Sequence, residues 1–463
     1  MAGIASPGLG SGLDVSGLVS KLMALEQQPL TTLATKEASY QAKLTAFGSL
    51  KGALSSLQTA AKTLATTTTF TGMSASVSDT TVLTASAGTT AAAGSYSLSV
   101  TQLAKYHAVR SNTNYAATTD TFHTGTLAIQ IGSGTAVNVT IDATNNTLAG
   151  IRDAINLANA GVTATILNDG TTNRLVLASK TSGSTGAITV AVTDSGSGGT
   201  NLLSDLASAS LVTTQTADDA NLTVNGIAIT RTSNTITDAI DGVTLNLLKG
   251  TVASPGTATL TVAKNTGTIT SAINAFVKAY NDAAKMLRDS SAYNAATKQA
   301  SILTGDSTVR SMQSQLSTLV NANVTAITGG IARLSDIGIA VQKDGTLLAD
   351  STKLQAALGD TTKDVASLFT QTTAGNEGIA VRFNTALEGM VGSNGLISSR
   401  TDGINASIKD IGKRREALQL RLVQIEKRYR AQFTALDSLV ASMQSTSTYL
   451  SQQLANLPGS SSS

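Results

Sequence analysis

The 463-residue chain has no cysteine and no tryptophan, only two histidines and four prolines, and aromatic residues make up 3 % of it. Without cysteine there is no disulfide, no thiolate metal site and no cysteine nucleophile. His107 and His123 are far apart in sequence, and neither lies in the HExxH spacing of a zinc enzyme, so no metal or cofactor is expected. Asp218–Asp219 and Asp238 with Asp241 are the paired carboxylates to weigh, but carboxylates at such positions usually serve turns and helix caps. No Ser–His–Asp arrangement emerges from the strand pattern, so the chain reads as a non-enzyme. A net charge of +3, with no basic strip carrying aromatics, argues against nucleic acid. No apolar run reaches membrane-span length, so no membrane insertion is expected. None follows a basic start as in a cleaved signal either.

What remains is a chain with 41 % hydrophobic and 13 % charged residues, whose cores rest on Leu, Val, Ile and Ala. Its first motif, Gly8–x–Gly10–x–Gly12, lacks the preceding strand that a phosphate-binding loop requires. It reads instead as a flexible entry to a helix capped by Asp14 or Ser16, with Leu18, Leu22 and Leu25 as its apolar positions. Pro29 breaks the pattern. Beyond it Leu30, Leu33, Tyr40, Leu44, Phe47, Leu50, Leu54, Leu57 and Leu64 form one stripe at helical spacing.

From residue 75 to 264 the period changes to two. Tyr96, Leu98 and Val100 alternate with polar residues, as do Leu127, Ile129 and Ile131, then Val243, Leu245 and Leu247. Asn225–Gly226 signals a tight hairpin. One helix interrupts the strands, with Ile151, Ile155 and Ala158 inward. Two β modules are expected, joined near the glycine-rich DSGSGGT at 194–200. Helical spacing returns at Ile269, Ile273, Phe276, Tyr280 and Leu287, and Asp344–Gly345 marks a further hairpin. The expected architecture is α+β: a discontinuous helical coiled-coil stalk built from both termini, with inserted, mostly antiparallel β head domains. The expected divisions are 1–29 with 436–463 as a terminal leg, 30–74 with 265–435 as the stalk domain, and 75–264 as the β head.

The C-terminal stretch carries apolar residues in near-unbroken 4,3 alternation. They run from Ile404, Ile408 and Ile411 through Leu418, Leu422, Ile425, Tyr429, Phe433, Leu436, Val440 and Met443 to Leu450, Leu454 and Leu457. Arg415 and Ser447 are the polar exceptions. A continuous helix over 404–457 spans roughly 80 Å and needs partners along its stripe. Residues 404–435 pack within the chain. Beyond Leu436 the matching intramolecular partner is the short first helix with Leu18, Leu22 and Leu25, and two thin helices bury little area. Leu18, Leu22, Leu25, Phe433, Leu436, Val440, Met443, Leu450, Leu454 and Leu457 are therefore the candidate assembly surface. The run GKRREALQLRLVQIEKRYR makes the outer face basic, as a solvated face or a contact for an acidic partner.

Several stretches also resemble one known family. GLGSGLDVSGLVSKLMALEQQPL, GSYSLSVTQLAKYHAVRS, NLTVNGIAITRTSNTITDAIDGVTLNL, LSDIGIAVQKDGTLLAD and EKRYRAQFTALDSLVASMQSTSTYLSQQL are similar, in order, to the bacterial flagellar filament cap family, also called hook-associated protein 2. GTLAIQIGSGTAVNVTIDATNNTLAGIRDAINLANAGVTATILNDG is of a type shared with flagellins. The resemblance implies type III export, a closed ring of copies of itself at the filament tip, and β domains forming a plate above helical legs. It implies flagellin and the hook–filament junction proteins as partners, with flagellin retained and folded beneath the plate. It also implies an export chaperone on about Phe433 to Leu457. A secreted flagellin-like filament subunit or adhesin is the alternative with the same layout.

Overall fold

The computed structural model describes residues 14–455. The chain divides into two compact units: a helical unit from residues up to Thr69 and from Ile269 onward, and a β unit, Phe70–Thr268. The class is α+β, with the β unit inserted between two halves of the helical one.

The helical unit begins with α1 (Val15–Glu26) and α2 (Gln28–Ala65), and a single turn, α3 (Thr68–Thr71), follows. Asp14 is the N-cap of α1, its carboxylate accepting from the Gly17 N–H at 2.8 Å. Those hydrogen bonds, first from Gly17 and then from Ser16, hold its carboxyl below the usual range. The break falls at Gln27, and Pro29 sits in the first turn of α2, where a missing N–H has no intrahelical acceptor to lose. The stripe along α2 is buried at Phe47, Leu50, Leu54, Leu57 and Leu64.

After the β unit come α5 (Thr266–Ser291) and α6 (Ser307–Val320). A short hairpin follows, Ile339–Val341 against Leu347–Ala349, turning at Asp344–Gly345. The chain then forms α7 (Ser351–Gly359), α8 (Val365–Thr370), α9 (Ile379–Val391) and α10 (Leu396–Ala455). Ile269, Ile273, Phe276, Tyr280 and Leu287 are all buried. Phe276 meets Phe383 of α9 edge-on, ring centres 5.1 Å apart, and Tyr280 does the same at 6.1 Å. Asp306 caps α6 through the Thr308 N–H and takes two hydrogen bonds from the Arg400 guanidinium, which ties the start of α6 to the start of α10.

The β unit holds two cores, nested rather than consecutive. One is shared by the sheet β1 (Met73–Val77), β15 (Gly256–Lys264), β3 (Gly94–Gln102), β11 (Ala220–Val224), β12 (Ile227–Arg231) and the sheet β13 (Thr235–Ile240), β14 (Val243–Leu247), β2 (Leu83–Ala87), each in spatial order. The other lies between the sheet β10 (Leu211–Gln215), β4 (Tyr106–Ser111), β8 (Asn173–Ser182), β7 (Val162–Asn168) and the sheet β6 (Val137–Ile141), β5 (Gly125–Ile131), β9 (Ile188–Asp194). Helix α4 (Leu148–Leu157) adds Ile151 and Ile155 to this second core. The pairings between these strands are antiparallel. Asn225 and Gly226 turn β11 into β12 with φ of 49° and 82°, the left-handed pair that a two-residue hairpin requires.

The expected joint at 194–200 is not between the modules. That loop wraps the second core, and a Cβ on Gly199 would come within 2.3 Å of the Phe122 carbonyl oxygen. The chain instead leaves the first module after Ala104 and returns at Asp218. There the Lys105 N–H donates to the Asp218 carbonyl at 2.8 Å, and the Lys105 ammonium pairs with the Asp218 carboxylate at 2.9 Å.

Candidate assembly interface

Helix α10 runs antiparallel to α2 and then to α1. Arg415 pairs with Glu37, and the Tyr429 hydroxyl donates to Glu26 at 3.2 Å. Arg415, one of the two polar exceptions on the stripe, is thus matched across the seam by a carboxylate. Every other stripe residue from Ile404 to Phe433 is at least half-buried. Helix α1 closes over this stripe through Val15, Val19 and Met23, which form a small core with Leu422 and Ile425. Leu30, Leu418, Tyr429 and Phe433 pack against its margin.

Two expectations are corrected. The inward face of α1 is Val15, Val19 and Met23, not Leu18, Leu22 and Leu25, which are 40 %, 37 % and 63 % exposed. The core that α1 shares with α10 centres on Leu422 and Ile425 rather than beyond Leu436. The reason is angular: residues at i, i+4 and i+8 form a face of their own, and the leucines lie about a quarter turn from it. Side-chain size drew attention to the leucines, while the crossing with α10 selected the valines.

Burial along α10 then fades. Phe433 and Val440 are half-buried, Leu436 and Leu439 are exposed, and every described residue from Ser442 to Ala455 is exposed. Met443, Leu450 and Leu454 are 64 %, 54 % and 67 % exposed. Leu457 lies outside the described residues, as do Gly8, Gly10 and Gly12. The sequence pattern singled out neither Leu439 nor Tyr449, which are 56 % and 60 % exposed beside the stripe. An apolar stripe on a single helix in water gains nothing from its leucines and methionines until something covers them.

A relative from Escherichia coli K12, a flagellar hook-associated protein 2, is 35 % identical over 98 % of this chain and 99 % of its own. The chain belongs to the flagellar hook-associated protein 2 family. The C-terminal model of that family matches residues 217–445 and the N-terminal one residues 11–107. A B-type hook-associated protein 2 from Pseudomonas aeruginosa is 33 % identical over 99 % of this chain and 98 % of its own. The crystal structure of the D1–D2–D3 domains of the E. coli flagellar cap protein FliD aligns with a TM-score of 0.61 at 33 % identity. It covers 78 % of this chain and 99 % of that one. A flagellin hook IN motif matches residues 126–181, from β5 to β8 within the second core.

Hook-associated protein 2 is a structural family of flagellar cap proteins, and both histidines and most of the carboxylates weighed above for chemistry have structural partners here. The His107 ring nitrogen accepts the Ile188 N–H at 2.9 Å within the β unit, and burial holds its pKa below the usual value. His123 pairs with Asp194 at 2.9 Å, whose other oxygen takes the Leu203 N–H. Asp219 accepts from Ser184, and Asp238 from Arg231. Among the described residues no cluster of His, Cys, Asp and Glu could hold a metal, and no helix is long and apolar enough to cross a membrane. On the basic outer face of α10, Arg414 pairs with Asp410 and Arg430 with Glu426, each one helical turn apart.

Proposed function

We propose that the protein caps the growing flagellar filament as a closed ring at its distal, extracellular tip. There it retains exported flagellin and promotes its folding and polymerisation. The observation that carries this reading, beside family membership, is the stripe that continues along α10 after its intramolecular cover ends, from Leu436 through Met443 and Leu450 to Leu454. A marginal two-helix end that gains order from neighbours suits a subunit that must let others pass and close again. The same uncovered segment suits recognition by an export chaperone before secretion, and later contact with flagellin and with the hook–filament junction proteins.

A filament subunit or adhesin with the same layout is separated from a cap by how it assembles. Electron microscopy of the concentrated, purified protein is expected to reveal small closed rings. Long fibres would favour the filament subunit, and monomers at all concentrations would overturn the ring.

A further inference from the structure

Level with the start of α2 and off the stripe, α10 exposes Leu420 at 66 % and Val423 at 60 %, on the side of the helix away from its seam with α2. The break between α1 and α2 leaves an open recess of about 640 Å³ lined by Leu25, Gln28, Pro29, Thr32 and Leu33, with no charged group among them. The Arg415–Glu37 and Tyr429–Glu26 pairs fix the axial register of the two strands of this leg. Between those pairs, Leu420 and Val423 fall level with the stretch around Leu33. By helical-wheel position the two patches lie roughly 120° apart around the leg.

We propose that in the ring Leu420 and Val423 of one copy seat in the Leu25–Pro29–Leu33 recess of the next. This rests on the ring reading above and adds the surfaces that set its register. A second copy is the occupant because both halves of the contact are on this chain at one axial level and on different flanks. A rotation without translation then brings one onto the other, which is the condition for a head-to-tail contact to close instead of spiralling. A single chain cannot satisfy the contact itself, because Leu420 and Val423 point away from the seam on a continuous helix. The patch is small, so it acts as a register key within a larger interface.

The absence of cysteine makes the test clean. The double variant Thr32→Cys/Leu420→Cys, oxidised under conditions where microscopy shows rings, is expected to give a ladder of covalent species ending at the ring size. Rings without a ladder would overturn this contact and leave the ring reading standing. A product that stops at the dimer would mean a self-paired interface and would also overturn it. Absence of rings in the unsubstituted protein would remove both. Independently, Leu420→Glu/Val423→Glu changes only exposed positions. Circular dichroism should be unaltered while the assembly midpoint moves to at least a tenfold higher concentration; an unmoved midpoint would overturn the contact.

Discussion

The second β core gathers nineteen buried apolar residues and the first seventeen, whereas the core joining α1 to α10 has five. The two regions use the same side chains, Leu, Val and Ile, so chemistry does not separate them. Dimension does. A pair of facing sheets buries the inner side of every strand, and each residue there touches neighbours in three directions. Two helices in contact share one seam, and beyond Ala441 even the seam ends. Burial contributes about 25 cal/mol per Å² of apolar surface in either place, so the β unit accumulates stability that the leg cannot. The leg is ordered by what it joins.

The largest effect that would break this contrast is on assembly. A chain ended after Ala435 is expected to abolish filament growth and swarming while leaving the strand signal in circular dichroism unchanged. Leu436→Pro should act alike, because the ring clashes with the carbonyl one turn earlier and costs about 3 kcal/mol in a helix with little to spare. Normal swarming of either strain would end the assembly role of this segment.

Next in size is exchange in the isolated monomer. Amides of residues 442–455 should exchange near unprotected rates, and those of β3 and β15 at least about a thousandfold more slowly. Protection along α10 as strong as in the strands would mean that the leg stands alone.

The smallest expected difference compares two core truncations. Phe122→Ala removes a fully buried ring packed at a tilt against Tyr115, at 4.9 Å between centres, and should destabilise the β unit by about 3–5 kcal/mol. Leu422→Ala should leave the melting of the β unit where it was and loosen only the leg. A common shift in both variants would show the two regions to be one cooperative unit.

Much of the fold was legible from spacing. The 3.6 and 2.0 periods marked α2, α5, α10 and the strands, and Asn225–Gly226 and Asp344–Gly345 marked their turns, because these depend on residues within a turn or two of one another. Arg415 could be recognised as an exception on the stripe but not explained, since Glu37 is its partner only after two helices are aligned. The nesting of one β module inside another was hidden for a similar reason. Lys105 and Asp218 meet across the whole second module, and the glycine-rich 194–200 imitates a linker while wrapping a core. At the interface, the exposed end of α10 was readable from its lack of a long enough partner, whereas the face of α1 was not.

The sequence by itself determined the kinds of elements, their order and the excess of apolar stripe over available cover, since periodicity is local and length is additive. Only the tertiary structure decided which side of α1 turns inward, which acid answers Arg415, and where Leu420 and the Pro29 recess lie relative to each other. Those depend on the angle and register at which two helices cross, and these emerge from packing along the whole seam and are not a property of any stretch of residues read alone.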